Sequence, residues 1–168
     1  MTKKDTIKIC IIGMPGSGKS TIGRILSKKL NYKFFDTDQN IEDETKTKIK
    51  DIFTHKGEAY FRELETRVLS KLIKINKVII STGGGIILKN KNILNKCLNI
   101  YLQCDENELI KRASRKKDRP LLLIDIKKNM KKLFNERKDI YNGLADLKIN
   151  TKSDIQKTVT EILNKLST

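Results

Sequence analysis

A chain of 168 residues, 38% hydrophobic and 33% charged, is long enough to bury about 70% of its unfolded surface, which excludes disorder and predicts a single domain over 1–168. Its formal charge of +16 would suit a nucleic-acid binder, but 29 of the 36 basic residues are Lys, joined by 24 Ile and 13 Asn. Those are amino acids of adenine- and thymine-rich codons, the lysines are dispersed without an aromatic-interleaved block, and no specific nucleic-acid partner is expected.

Ile7–Ile12 reads as a buried strand, and Lys19 to Leu30 as a helix carrying Ile22, Ile25, Leu26 and Leu30 at helical spacing. Lys33–Phe35 is a short strand, followed by a broken helix from Ile41 to Phe53. Glu58 to Lys74 places Phe61, Leu64, Val68, Leu69 and Leu72 on one stripe. Val78–Ser81 is a strand stopped by Gly83-Gly84-Gly85, and Leu98–Leu102 is another. A short helix from Glu106 to Arg112 precedes a charged loop at Arg115–Asp118. A helix follows from about Asp125 to Tyr141, then a strand at Leu147–Ile149 and a last helix from Ile155 to Leu166. Strands alternating with helices predict an α/β fold, a parallel sheet covered on both faces. No apolar run approaches the roughly 20 residues of a membrane helix, and no secretory leader is expected. Cys10, Cys97 and Cys104 stand in no metal-ligand spacing and suit reduced thiols in a cytoplasmic protein.

Gly13-Met14-Pro15-Gly16-Ser17-Gly18-Lys19-Ser20 fits G-x-x-x-x-G-K-[ST] directly after a strand and opening a helix. Glycines let consecutive N–H groups turn inward around phosphate oxygens, and the helix start adds the positive end of its dipole. Lys19 would reach the β- and γ-phosphates and Ser20 would offer a hydroxyl to Mg²⁺. This marks a nucleoside triphosphate site. A GTPase would need a guanine-reading N-K-x-D, which is absent; a motor would carry an apolar strand ending in Asp beside Glu, and neither Val78–Ser81 nor Leu98–Gln103 does. Asp36-Thr37-Asp38 lies instead just beyond the second strand, at the edge where open α/β sheets bind ligands. One carboxylate there could serve Mg²⁺ and the other an accepting hydroxyl. The competing reading is a helix N-cap at Thr37 or Asp38.

Together the motifs resemble the shikimate kinase family of P-loop kinases. The resemblance runs from Gly13 to about Tyr141 and rests on Gly13–Thr21, Asp36-Thr37-Asp38 leading to Ile41-Glu42, and Ile52-Phe53 with Gly57-Glu58 and Phe61-Arg62-x-x-Glu65. Gly83-Gly84-Gly85, Arg119-Pro120-Leu121-Leu122 and Arg137-x-x-x-Tyr141 complete it. It implies a monomeric three-layer α/β/α kinase with a five-stranded sheet in order 2-3-1-4-5, a substrate-binding helical segment at about 37–62 and a mobile lid at about 113–125. The implied reaction is ATP-dependent phosphorylation of the 3-hydroxyl of shikimate, in aromatic amino-acid synthesis, with Mg²⁺.

Carried over by position, the resemblance gives ATP to Gly16, Ser17, Gly18, Lys19, Ser20 and Thr21, with Arg112 on the adenine and Arg119 on the phosphates. It gives the metal to Ser20 and Asp36, and shikimate to Asp38, Arg62, Gly84, Gly85 and Arg137. Lys19, Asp38 and Arg119 would carry the catalysis. A planar guanidinium fork suits a carboxylate better than Lys does, and in a chain that uses Lys almost everywhere the seven arginines mark places where Lys is expected not to serve. The bland reading of Arg62 is an ion pair with Glu58 or Glu65 on a helix surface. That of Arg119 is a solvated charge, that of Arg112 a solvated helix face, that of Gly83–Gly85 a loose turn, and that of Phe53 and Phe61 plain core. Two stretches depart from the pattern: Leu121–Ile124 is unusually apolar after a lid, and Asn150–Ser153, which would border adenine, carries little signal. His55, the single histidine, is expected at the surface. The alternatives are another small-metabolite kinase, for gluconate or a nucleoside monophosphate, and a non-enzymatic binder using the charge.

Overall fold

The computed structural model describes residues 7–115, 126–152 and 154–167. Its elements run β1 (Lys8–Ile12), α1 (Lys19–Leu30), β2 (Lys33–Asp36), α2 (Thr37–Thr45), α3 (Ile49–Leu72), β3 (Val78–Ser81), α4 (Lys91–Leu94), β4 (Leu98–Gln103), α5 (Glu106–Arg115), α6 (Ile126–Leu144), β5 (Leu147–Asn150) and α7 (Ile155–Ser167). The strands form one parallel sheet in the order β2-β3-β1-β4-β5, as the resemblance implies.

Strand alternation builds the two cores. In β1, Ile9 and Ile11 enter one cluster with Ile22 and Leu26 of α1 and Val159 and Ile162 of α7. Cys10 and Ile12 enter the other, with Leu64, Val68 and Leu69 of α3, Leu109 of α5 and Met130 and Tyr141 of α6. A central strand with helices on both faces has no polar side, so β1 and β3 read as nearly unbroken apolar runs. Each fully buried Ile contributes about 1.5–3 kcal/mol through removal from water.

The structure shifts several expected boundaries. β2 runs one residue further, to Asp36, and α2 starts at once at Thr37. The cap of α2 is Asp36, whose Oδ1 accepts from the N–H groups of Asp38 (3.0 Å) and Gln39 (3.2 Å), rather than Thr37 or Asp38. The hydroxyl of Thr37 is turned inward instead, which takes it out of competition for that role. α3 is interrupted at Gly57 (φ 82°, ψ 171°), so its second half begins at the predicted Glu58. The 3₁₀ turn Ile86–Leu88 and α4 went unforeseen, because neither is long enough to show a helical period. The helix α5 runs on to Arg115, so residues 113–115 of the predicted lid are helical; the rest of it, 116–125 with Arg119, lies outside the described residues. Among the described residues no helix is long and apolar enough to cross a membrane.

Register brings the carboxyl ends of three strands level: Ser81 pairs with Ile11 of β1 on one side and with Asp36 of β2 on the other. The loops after β1, β2 and β3 therefore meet at one edge, where open α/β sheets hold their ligands.

Candidate active site

The loop between β1 and α1 takes its shape from glycine. Gly13, Gly16 and Gly18 have φ of 150°, 86° and 93°, and α1 opens on Gly18 with no side-chain cap, which leaves its first N–H groups to a ligand. Lys19 is buried across the loop, its Nζ donating to the carbonyls of Gly13 (2.9 Å) and Met14 (2.8 Å). The ammonium is thus already held over the cradle.

Ser20, the next residue, donates from Oγ to Asp36 Oδ2 (2.5 Å), and its Oγ lies 3.0 Å from Ser81 Oγ. One carboxylate of Asp36 therefore caps α2 and engages the phosphate loop at the same time. Asp38, two residues on, faces Gly83: a methyl there would sit 2.7 Å from Asp38 Oδ1 and 2.9 Å from Glu65 Oε1. Thr37 Oγ1 accepts from the Gly83 N–H at 2.8 Å, pinning the glycine loop to the start of α2.

The glycine run is built for close approach, not looseness. A methyl on Gly84 would lie 2.9 Å from Pro15 Cδ and 3.3 Å from Arg137 Nη1, and one on Gly85 would lie 2.6 Å from Arg62 Cζ. Two arginines thus press on this wall, both buried: Arg62 is 7% and Arg137 8% exposed. Arg62 makes both of its expected ion pairs, through Nη2 to Glu58 (2.9 Å) and Nη1 to Glu65 (2.6 Å), yet it lines the cavity rather than the protein surface. Arg137 Nε is buried with no hydrogen-bond partner among the described residues. A buried donor of that kind carries a desolvation cost that an anionic ligand would relieve.

Burial is the main force on Glu65, and it outweighs the adjoining Arg62 guanidinium and pushes the carboxyl up to about 7; Asp38 adds to the rise and Arg137 opposes it. The ordinary value is near 4.5, so between about 4.5 and 7 the folded chain holds a proton that the unfolded chain has released. Stability then falls as pH rises through that window. Melting temperatures across it should show this decline in the wild type and lose most of it in Glu65→Gln.

These groups surround one cavity of about 920 Å³, lined by Pro15, Gly16, Gly18–Thr21, Asp36, Asp38, Arg62, Glu65, Thr82–Gly85 and Arg137. Phe53 and Phe61 supply apolar wall, rings 4.7 Å apart, and Phe61 is core as well. A second pocket of about 350 Å³ lies beyond Gly18 and Thr21, between Glu108, Arg112, Thr151 and Thr158. Arg112 pairs with Glu108 (2.8 Å) and donates to Gly16 O (3.1 Å), so it ties α5 to the phosphate loop while it borders this pocket. The weak signal at Asn150–Ser153 conceals a buried Thr151, fixed to Gln103 O through its N–H (2.8 Å) and Oγ1 (3.1 Å). His55 is exposed on α3, as expected.

A family model described as shikimate kinase matches residues 15–167. The chain belongs to the shikimate kinase family. It is 44% identical to a shikimate kinase of Sulfurihydrogenibium over 162 residues, 94% of this chain and 96% of that one. A solved shikimate kinase from Acinetobacter baumannii in complex with shikimate superposes with a TM-score of 0.92 at 31% identity, covering 98% of this chain and 94% of that one. One from Aquifex aeolicus gives 0.80 at 36% identity and covers 96% of each chain. Family membership makes the chain a kinase with ATP as phosphoryl donor, which decides against the binder and the gluconate and nucleotide kinase alternatives.

Every site residue expected of this family except Arg119 falls on the two pockets: Ser17 and Arg112 on the smaller, the others on the larger or on both. Sequence reasoning passed over Ser81, Thr37 as an anchor of Gly83, and Glu65 as a buried acid. Ser81 was visible as the polar residue ending an apolar strand. Glu65 was named as a partner of Arg62, but its burial was signalled only by its place on the apolar stripe between Phe61 and Leu69.

Proposed function

We propose that this cavity holds Mg·ATP on Gly13–Ser20 and shikimate against Asp38, Arg62, Gly84, Gly85 and Arg137, and that the chain transfers the γ-phosphoryl group to the substrate's 3-hydroxyl. The observation that carries this reading is the convergence on one cavity of a phosphate loop, a carboxylate and two buried arginines. The arginines suit the substrate carboxylate, and Arg137 Nε offers a donor still to be satisfied. Asp38 accepts a hydrogen bond from the hydroxyl, orients its oxygen and takes its proton as the new P–O bond forms and the bond to the β-phosphate bridging oxygen breaks. Lys19 offsets the charge that spreads over the transferring oxygens. The smaller pocket suits the adenine, beside Arg112.

Oxygen donors suit Mg²⁺, and the Ser20 hydroxyl and Asp36 carboxylate already meet. Among the described residues no group of three or more His, Cys, Asp or Glu could hold a metal, in keeping with an ion that takes its other ligands from phosphates and water. When bound, the ion neutralises phosphate charge. Asn caps a helix as well as Asp does, so Asp36→Asn should fold normally yet need about 10–100-fold more Mg²⁺ for half-maximal rate. A magnesium titration of initial rates checks this.

For Arg119 the reading rests on its Arg-Pro-Leu-Leu sequence context alone, which assigns its guanidinium to the oxygens of the transferring phosphoryl group. Assignment to the cytoplasm is in keeping with Cys10, Cys97 and Cys104, which are buried free thiols suited to a reducing compartment. The test of the whole reading is ADP release from Mg·ATP with shikimate, beside a panel of sugar acids and nucleoside monophosphates. Stimulation by shikimate alone is the expected result; stimulation by another acid alone would overturn the substrate assignment.

A further inference from the structure

Tyr141 belongs to the Arg137-x-x-x-Tyr141 motif, yet the reaction as described above gives it no part. It is fully buried, and its ring stacks on Tyr101 with centroids 5.1 Å apart and planes 22° apart. A hydroxyl buried this deeply needs a partner, and the partner is informative: Tyr141 Oη donates to the carbonyl of Gly84 at 2.6 Å. The chain has no cis peptide bond among its described residues, and in a trans peptide the C=O and the following N–H point in opposite directions. Fixing the Gly84 carbonyl therefore fixes the direction of the Gly85 N–H, on a loop that lines the large cavity. Without that bond the Gly84–Gly85 peptide is left as the centre of a turn closed only by the Ile86 N–H on the Gly83 carbonyl (3.2 Å), and two glycines there give such a peptide the freedom to flip.

Tyr141 also sits one helical turn beyond Arg137 on α6, so the two side chains share a face. The same tyrosine thus adjoins both of the cavity walls offered to a carboxylate, the Gly84–Gly85 backbone and the Arg137 guanidinium. Thr37 holds the other end of the wall at Gly83. Burial pushes the Tyr141 phenol well above its ordinary range, which keeps it protonated and a donor at any working pH.

We propose that Tyr141 is a positioning residue for substrate: by holding the Gly84 carbonyl it presets the Gly84–Gly85 peptide against which the acceptor, beside Arg137, is bound. The proposal rests on the reading of this cavity as the shikimate site. It predicts a split between binding and chemistry. Tyr141→Phe keeps the stacked ring and removes the hydroxyl, with its bond to the Gly84 carbonyl and its contact with Arg137, so the shikimate KM should rise about five- to tenfold, the range expected of one neutral hydrogen bond of about 1–1.4 kcal/mol. The ATP KM and kcat should stay within about twofold, since the phosphate loop is untouched.

Calorimetric titration with shikimate in the absence of nucleotide should show the same weakening. Difluorotyrosine at position 141, nearly the same shape with a stronger donor, should hold the wall and leave the shikimate KM at or below the wild-type value. If Tyr141→Phe melts at a lower temperature but keeps the wild-type shikimate KM, the residue is merely structural and the proposal fails. An equal fall in kcat with every KM unchanged would overturn it too. Should Tyr141→Phe fail to fold, the difluorotyrosine chain decides: a shikimate KM raised above wild type would sink the proposal. A wild-type chain indifferent to shikimate would instead defeat the substrate reading, and this inference with it.

Discussion

Asp38→Asn is expected to lower kcat a hundred- to ten-thousandfold while leaving ATP affinity nearly intact, the range that a positioned acid–base group contributes. The two properties separate because of where the carboxylates stand. Asp36 is joined to the phosphate loop through Ser20, whereas Asp38 projects to the Gly83 wall beside Glu65. Asn keeps the size of the side chain and can still accept through its amide oxygen, but it cannot take up a proton. The backbone N–H of residue 38 still donates to Asp36 in the variant, so α2 keeps its cap. Single-turnover rates with saturating Mg·ATP, beside direct nucleotide binding, would measure both. Turnover equal to wild type would remove Asp38 from the chemistry and leave it a structural acid.

How much of this site could be read in advance depended on how local each signal was. The phosphate loop was fully legible, because its glycines, lysine and serine act within eight consecutive residues and their conformations are set by local sterics. The sheet order came from resemblance alone: alternating strands and helices say parallel, but not which strand lies beside which. Arg62 shows the middle case. Its spacing from Glu58 and Glu65 suggested a surface ion pair, and the ion pairs exist; what spacing could not tell is that the helix from Glu58 lies beneath the glycine wall, burying all but the rim of the guanidinium. Glu65 was hidden for the same reason. Its raised pKa follows from burial and from Asp38, which another element brings beside it, against the opposing pull of Arg62 on its own helix. Tyr141 is similar: its meaning lies in a bond to a residue 57 positions away.

Arg62→Lys should raise the shikimate KM by about 10- to 150-fold or more, with the ATP KM little changed. A guanidinium has five N–H donors. Here Nε and Nη2 each give one to Glu58 Oε1, at 3.2 and 2.9 Å, and Nη1 gives one to Glu65 Oε2 at 2.6 Å, which leaves one N–H on each terminal nitrogen. That remaining pair is what a substrate carboxylate requires for a two-pronged grip, and the two glutamates hold the plane from which it is offered. Lysine keeps the charge but has only three donors around one nitrogen, so it cannot satisfy both glutamates and still present a fork. Losing one or two charge-assisted bonds, each about 1.5–3 kcal/mol, sets the expected size. Arg62→Leu carries a second signature. It removes the cation that holds Glu65 ionised, so burial acts unopposed by that partner and the carboxyl rises further above its already raised value. The pH range over which the folded chain keeps a proton that the unfolded chain has lost then widens upward, and stability continues to fall at pH values where the wild type has levelled off. Adding Glu65→Gln to Arg62→Leu should flatten that decline without restoring shikimate affinity. Recovery of affinity in the double variant would mean that Arg62 serves chiefly to neutralise Glu65, and the carboxylate grip would have to be sought at Arg137.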